Sequence, residues 1–377
     1  MSLLPRSLLD TDLYKLTMQQ AVLHHFPDTR ASYKFTLRDK SVNFTKGAFE
    51  IFKDAVSQFD SLALTEAEYL WLKQTCPYLT ESYLSYLRSY RFKPAEQVRV
   101  TFVSEGGETG QIEIDVSGSW VETIFWEVPL MATLSEVYFT SVKTDWTYDG
   151  QKELAYEKGR ALLEHDCVFS EFGTRRRRLL VSATKDIASK GRLSGTSNVH
   201  LAHKHGILPV AALKGYENAN SIAMDLWEEV YPNALLIALT DTFSSSAFFE
   251  SFRSNKERAM RWQGLRQDSG DPFEFGVRAK EVLESLGIEP SSKMIIYSDA
   301  LDIEKAVGLQ QQARDLGLTV SFGIGTTGTD EKSKALNMVI KLSSVDDRPC
   351  VKISDDLNKN TGNAETVLMV KQLYKLS

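Results

Sequence analysis

Five short segments combine acids, arginines and small residues in a way that suits an anionic, hydroxyl-rich ligand. RQDSGDP (266–272) puts Arg266, Asp268, Ser269, Gly270 and Asp271 into one turn. Carboxylates there can hold a cation or sugar hydroxyls, and the guanidinium can grip an anion through two parallel hydrogen bonds. The same letters also make an ordinary turn whose Asp and Ser cap the next helix. EFGTRRRR (171–178) follows Phe172 and Gly173 with an arginine run that begins at Arg175. Such a run can clamp an anion beneath an aromatic ring, or simply start a solvated helix. SFGIGT (321–326) places Gly323, Gly325 and Thr326 after an apolar stretch, so that backbone N–H groups can cradle a phosphate. YSDALD (297–302) offers Asp299 at a strand end with Asp302 as a helix cap. GTSN (195–198) brings Ser197 to a helix start, either as a plain cap or as an anion seat on free amides. No segment is specific alone. Together they suit a sugar carrying phosphates at both ends.

The elements that must position these segments follow from periodicity. Residues 10–30 read as a helix capped near Asp10 or Thr11, 31–38 alternate like a strand, and 47–90 hold three helical patterns. VRVTFVSEGGETGQIEIDVSG (98–118) predicts a hairpin around a Gly-rich turn. From about residue 125 helices and short apolar strands alternate. Helices are expected at 150–165, 179–190, 245–257, 275–286 and 302–315, and strands at 235–241, 293–299 and 318–326. The segments above then fall at strand C-termini, where barrel enzymes place their chemistry. The reading is α/β, with a barrel-like domain over 126–335 behind an α+β domain over 1–125.

Composition narrows the class further. The chain has 377 residues, with 44 Lys plus Arg against 50 Asp plus Glu and a formal charge of −6, which argues against a nucleic-acid binder. Cys76, Cys167 and Cys350 form no CxxC pair, so neither a disulfide framework nor a zinc-thiolate site is expected. The N-terminus reaches acidic residues too early for a signal peptide and no apolar run is long enough to span a bilayer. No membrane partner and a cytoplasmic, reducing location are expected. The histidines stand at 24, 25, 165, 200, 203 and 205. His200 and His203 are read as packing residues, since no third ligand or carboxylate partner accompanies them.

LLDTDLYKLTM, SEFGTRRRR, GTSN, ALTDTF, RQDSGDP, YSD, FGIGT, LNMVIKL and KISDDLNKN, in this order from about Leu8 to about Val370, together resemble the nicotinate phosphoribosyltransferase family. The resemblance implies a type II phosphoribosyltransferase fold. That is an irregular α/β barrel with an N-terminal α+β domain completed by C-terminal residues, the segment 336–377 packing back on that domain. It implies transfer of phosphoribosyl from phosphoribosyl diphosphate to nicotinate or a related pyridine carboxylate, in NAD biosynthesis, by a homodimer with shared sites. Mg²⁺ is the implied cofactor. Phe172 resembles one wall of the base pocket, and Tyr14 the opposite wall donated by a partner subunit. Arg175 and Arg266 resemble arginines that contact the pyridine acid or the phosphates. Asp268 resembles the acid near the ribose, with Asp299 beside it in the catalytic set. Gly323, Gly325 and Thr326 resemble the 5-phosphate loop. Ser197 resembles the position that relatives using nicotinamide fill with Asp, so Ser fits an acid rather than an amide.

One segment departs from the family. Its histidine motif, phosphorylated by ATP, is replaced here by a shorter loop in LPVAALKGYENANSIAMDLW (208–227), and no histidine follows His205. Transfer without ATP coupling is therefore expected, with Lys214, Tyr216 or Glu217 possible replacements in the rebuilt loop. The alternatives are a homologue acting on a nicotinate-derived nucleotide and a non-catalytic nucleotide binder.

Overall fold

The computed structural model describes residues 3–104, 106–147, 149–176, 193–205, 219–325, 335–356, 360–374 and 376. Strands β1 (Arg30–Leu37), β2 (Phe44–Thr45), β3 (Val98–Val103) and β4 (Thr109–Ser119) come first. Then β5 (Phe169–Glu171), β6 (Leu193–Thr196), β7 (Ile237–Leu239), β8 (Gly264–Gln267), β9 (Met294–Tyr297) and β10 (Thr319–Ile324) alternate with helices. β11 (Met338–Val345) and β12 (Arg348–Pro349) follow them.

The first sheet is antiparallel and runs β12-β11-β1-β4-β2, with β3 on β4. The expected hairpin is β3–β4, and its alternation buries Ile112, Ile114 and Val116 on one face. That face packs on Phe44, Phe52, Phe59 and Trp126, the last two rings stacked at 5.8 Å. The core extends through the helix Glu127–Ser141 to Phe139 and partly buried Trp146, past the expected boundary at 125. Val128, Leu130, Met131 and Leu134 are apolar nearly all round that helix, so it must be enclosed.

The second sheet is wholly parallel, in the order β6-β5-β10-β9-β8-β7. Strands β7 to β10 neighbour one another in chain order, and β10 pairs back with β5. That is the connectivity of a barrel. Among the described residues it has one seam without a ladder, between β6 and β7. The C-terminal segment divides its contacts. β11 pairs with β1 as the resemblance implies, but Val351, Ile353 and Val370 pack on Phe243 and Ala247 of the barrel domain, and Tyr374 stacks on Phe243 at 4.5 Å.

The first helix spans Leu13–His25 rather than 10–30. Asp10 and Asp12 do not cap it, because their carboxylates receive Asn198 and Ser197 from beyond β6. No described helix is long and apolar enough to cross a membrane.

Candidate functional site

At the end of β8, Arg266 is fixed from two sides. Its Nε donates to Ser298 Oγ at 2.7 Å and its Nη2 to Asp268 Oδ1 at 3.0 Å. Ser298 Oγ also lies 2.9 Å from Asp268 Oδ1, which ties the ends of β8 and β9 together. Asp268 thus serves as a counter-ion, while Asp271 accepts from Phe273 and Glu274 and caps the helix Pro272–Ser285. The turn therefore contains both the cap and the charged pair that its letters permit. Asp299 is half-buried at the end of β9, and Asp302 caps the helix Ile303–Leu316.

The Arg266 guanidinium lies over the Phe172 ring, 5.4 Å from its centroid. β5 and β10 run in parallel register, Gly323 opposite Ser170, and the Phe172 N–H donates to Ile324 O at 2.9 Å. The Phe172 ring consequently folds onto Gly323, where a Cβ would overlap its Cδ2 and Cε2. Glycine at 323 is explained by this ring. Gly325 is exposed, and a Cβ there would meet only Phe172 O at 3.8 Å. Thr326 lies outside the described residues, as do Lys214, Tyr216, Glu217 and the 179–190 helix.

Arg175 stands on the short 3-10 turn after β5 and is half-buried. Its Nη1 donates to Glu127 Oε1 at 3.3 Å, and Tyr14 donates to Glu127 Oε2 at 3.2 Å. Lys15 makes an ion pair with the same carboxylate. Tyr14 and Arg175 of one chain thus share the Glu127 carboxylate. Burial lowers the Arg175 affinity for its proton, but Tyr14, Glu127, Asp12 and Asp268 more than reverse this and raise it. Burial pushes Tyr14 well up, aided by Glu127, so its hydroxyl remains a donor. Burial also raises Asp12, against the pull of Arg175 and of Ser197.

Ser197 is buried, with its hydroxyl given to Asp12 Oδ1 at 2.7 Å. The amides that GTSN could have offered to an anion are occupied. Val199 N donates to Thr11 O, His200 N to Leu9 O and Leu201 N to Asn198 Oδ1. The helix is capped there by Asn198 and not by Ser197. His203 packs against Trp71 with ring centroids 5.0 Å apart, and burial lowers His200.

Sequence reasoning singled out neither Asp241 nor Lys352, although both sit in quoted motifs. Asp241 follows β7 and is fully buried. Its Oδ2 accepts from Ser269 at 2.7 Å and Lys352 at 2.8 Å, while Oδ1 has no hydrogen-bond partner among the described residues. Glu127 was also missed. Its signal, an acid opening an otherwise apolar helix, was present in the sequence. Nearby, Lys341 on β11 is pushed down to about 8, first by burial and then by Lys352 and Arg38. Three cations from separate segments converge there.

The sequence model of the nicotinate phosphoribosyltransferase (NAPRTase) family matches residues 167–377, and that of the family's N-terminal domain matches 9–135. The nicotinate phosphoribosyltransferase of Methanosarcina acetivorans is 40% identical over 397 residues, covering 96% of this chain and 96% of its own. That of Saccharomyces cerevisiae is 39% identical over 408 residues, covering 97% and 94%. The crystal structure of nicotinate phosphoribosyltransferase from Porphyromonas gingivalis superposes with a TM-score of 0.91 at 34% identity, covering 98% of this chain and 100% of that one.

Proposed function

The chain belongs to the nicotinate phosphoribosyltransferase family, and from that premise we propose how its residues join nicotinate to phosphoribosyl diphosphate. The bond from ribose C1 to diphosphate breaks, its electron pair leaves with the diphosphate, and the pyridine nitrogen takes C1. That nitrogen has no proton to lose, so no general base is needed. What the site must supply is orientation and compensation of charge.

The observation that carries this reading is the Phe172 ring seated on Gly323 with Arg266 held over it by Asp268 and Ser298. Nicotinate becomes a pyridinium as C1 is transferred. The guanidinium over the Phe172 ring is positioned to hold the carboxylate of that base, so the pair orients its nitrogen for attack on C1. Arg266 and Arg175 are the arginines placed to meet the carboxylate or the phosphates. Arg38, Lys341 and Lys352 add positive charge for the diphosphate. Asp268 and Asp299 border the ribose, and the turn after β10 receives its 5-phosphate. Ser197 acts through Asp12 as a support for the base pocket.

Mg²⁺ belongs to the proposal. Asp241 after β7, whose buried Oδ1 has no partner among the described residues, and Asp299 after β9, two strands along the sheet, provide hard oxygen donors of the kind Mg²⁺ takes. Such an ion would neutralise charge on the leaving diphosphate. The enzyme is proposed to act as a homodimer in the cytoplasm. The homodimer is supported by Leu368, Met369 and Leu373, which stay exposed on the helix Ala364–Leu373.

Transfer proceeds without ATP, because no histidine lies after His205 to be phosphorylated. The test is incubation with phosphoribosyl diphosphate, Mg²⁺ and a panel of pyridine carboxylates, with and without ATP, followed by mass spectrometry. The expected result is nicotinate mononucleotide and diphosphate, formed equally in both arms. A requirement for ATP overturns the uncoupled reading. No product from any pyridine acid leaves only the nucleotide-binding alternatives.

A further inference from the structure

A second cluster of ligating side chains lies outside the constellation described above. His24 and His25 end the helix Leu13–His25, and Glu229 lies in the last turn of the helix Ala219–Val230. Each offers one donor atom, and all three atoms lie within 4.8 Å of one another. The two imidazoles stand edge-on with centroids 4.6 Å apart.

The hydrogen bonding of His25 decides how this cluster reads. Its Nε2 is 2.8 Å from Leu226 O, which can only accept, so that nitrogen carries the proton. In the neutral ring the lone pair is then on Nδ1, the atom that faces Glu229 Oε2 at 3.8 Å. That separation is too long for a hydrogen bond. It suits an ion bonded to each donor at about 2.0–2.2 Å. An imidazole whose second nitrogen donates to a backbone carbonyl is oriented as metal-bound histidines usually are. Histidines at a helix C-terminus are also favoured by its dipole. The dipole accounts for the residue type, but not for the convergence of Glu229 or for the tautomer. Glu228, the neighbouring acid, is occupied by Arg258, Arg261 and Trp262.

We propose that His24, His25 and Glu229 bind one divalent transition cation of the zinc class, with water completing the coordination. Two imidazoles and a carboxylate suit zinc, whereas Mg²⁺ prefers an all-oxygen shell. The site is therefore chemically separate from any Mg²⁺ that accompanies the diphosphate. It is structural. The first helix carries Tyr14 and Lys15 in its first turn, and the other follows directly on the segment where the family's histidine motif is replaced. Tyr231 already joins the two helices' neighbourhoods by donating to Thr17 O at 2.8 Å. The cation adds a further tie between the N-terminal helix and the barrel.

The test uses the full chain freed of metal by chelation. Zn²⁺ is titrated into the wild type, His24→Ala and Glu229→Gln by equilibrium dialysis with metal analysis. Both substituted side chains are exposed, so metal-free melting curves should match the wild type. The expected result is a single Zn²⁺ per wild-type chain, weakened by at least about tenfold in each variant. A Zn²⁺-dependent rise in Tm should appear in the wild type alone, and excess Mg²⁺ should not displace Zn²⁺. Co²⁺ should give visible d–d absorption that both variants lose. Failure of the wild type to bind Zn²⁺ stoichiometrically, or equal binding by all three proteins, overturns the proposal.

Discussion

Glu127 divides its two carboxylate oxygens among Arg175, Tyr14 and Lys15, and is only 13% exposed. Removing its charge while keeping its shape leaves two cations without their shared anion. Hydrogen bonds to charged groups contribute about 1.5–3 kcal/mol each. Glu127→Gln should therefore raise KM for nicotinate at least about tenfold by loosening Arg175, with a smaller fall in kcat. Steady-state kinetics check this, and an unchanged KM would remove Glu127 from the positioning role. Lys341 gives a pH dependence. Its folded-state affinity for a proton is pushed down to about 8 from the ordinary 10.5. Above pH 8 it loses its charge, so KM for phosphoribosyl diphosphate should climb as pH rises through that value. Lys341→Arg, which cannot be neutralised there, should flatten the climb. The sign for stability is opposite. Between pH 8 and 10.5 the unfolded chain holds the proton that the folded one has released, so this group's penalty is relieved as pH rises.

Among elements, the meeting of two strand ends shapes the base platform. β5 hands the chain to Phe172, and β10 offers Gly323 directly beneath the ring. Gly323→Ala forces the ring off its seat. Overpacking of this kind costs about 1–3 kcal/mol, so the fold should survive while the Phe172–Arg266 pair is displaced. The expected result is a Tm lowered by a few degrees at most with kcat/KM down at least about a hundredfold. Gly47→Ala, in the helix Lys46–Ser57 of the N-terminal domain, where a Cβ would meet only Thr45 Oγ1 at 4.0 Å, is the control. If Gly323→Ala turns over normally, the ring is not the platform. Elements were legible wherever the pattern is local. The hairpin 98–118 alternates around a Gly-rich turn, and short apolar runs marked most barrel strands with their polar C-terminal ends. The start of the first helix was not legible. Asp10 looks like a cap, but its carboxylate takes Asn198, 188 residues away, and that of Asp12, at the true helix start, takes Ser197, 185 residues away. The reason for Gly323 was hidden in the same way, since a glycine for a ring and a glycine for a phosphate are one letter.

Over the whole molecule, the C-terminal segment binds both bodies into one. β11 completes the antiparallel sheet through β1, and a few residues later Lys352 reaches the buried Asp241 at the barrel's strand ends. Ile353 N donates to Thr242 O at 3.1 Å, and Asp355 accepts from Ser245 through both its carboxylate oxygens. Contacts of this kind span more than a hundred residues and have no local spacing, which is why Asp241 and Lys352 stayed unmarked inside visible motifs. Asp241 is wholly buried and Lys352 13% exposed, so losing one partner strands the other's charge. Breaking such a pair costs about 3–5 kcal/mol. Lys352→Met should lower unfolding stability by roughly that amount, because Asp241 keeps only the hydroxyls of Ser269 and Ser354. Asp241→Asn added to Lys352→Met removes the stranded charge and should recover about half of the loss. Urea denaturation of the wild type, both single variants and the double variant measures the coupling directly. Additive losses would mean that Lys352 and Asp241 act independently, and that the C-terminal segment is held to the barrel by its other contacts, the packing of Val351, Ile353 and Val370 and the hydrogen bonds of Ile353 and Asp355.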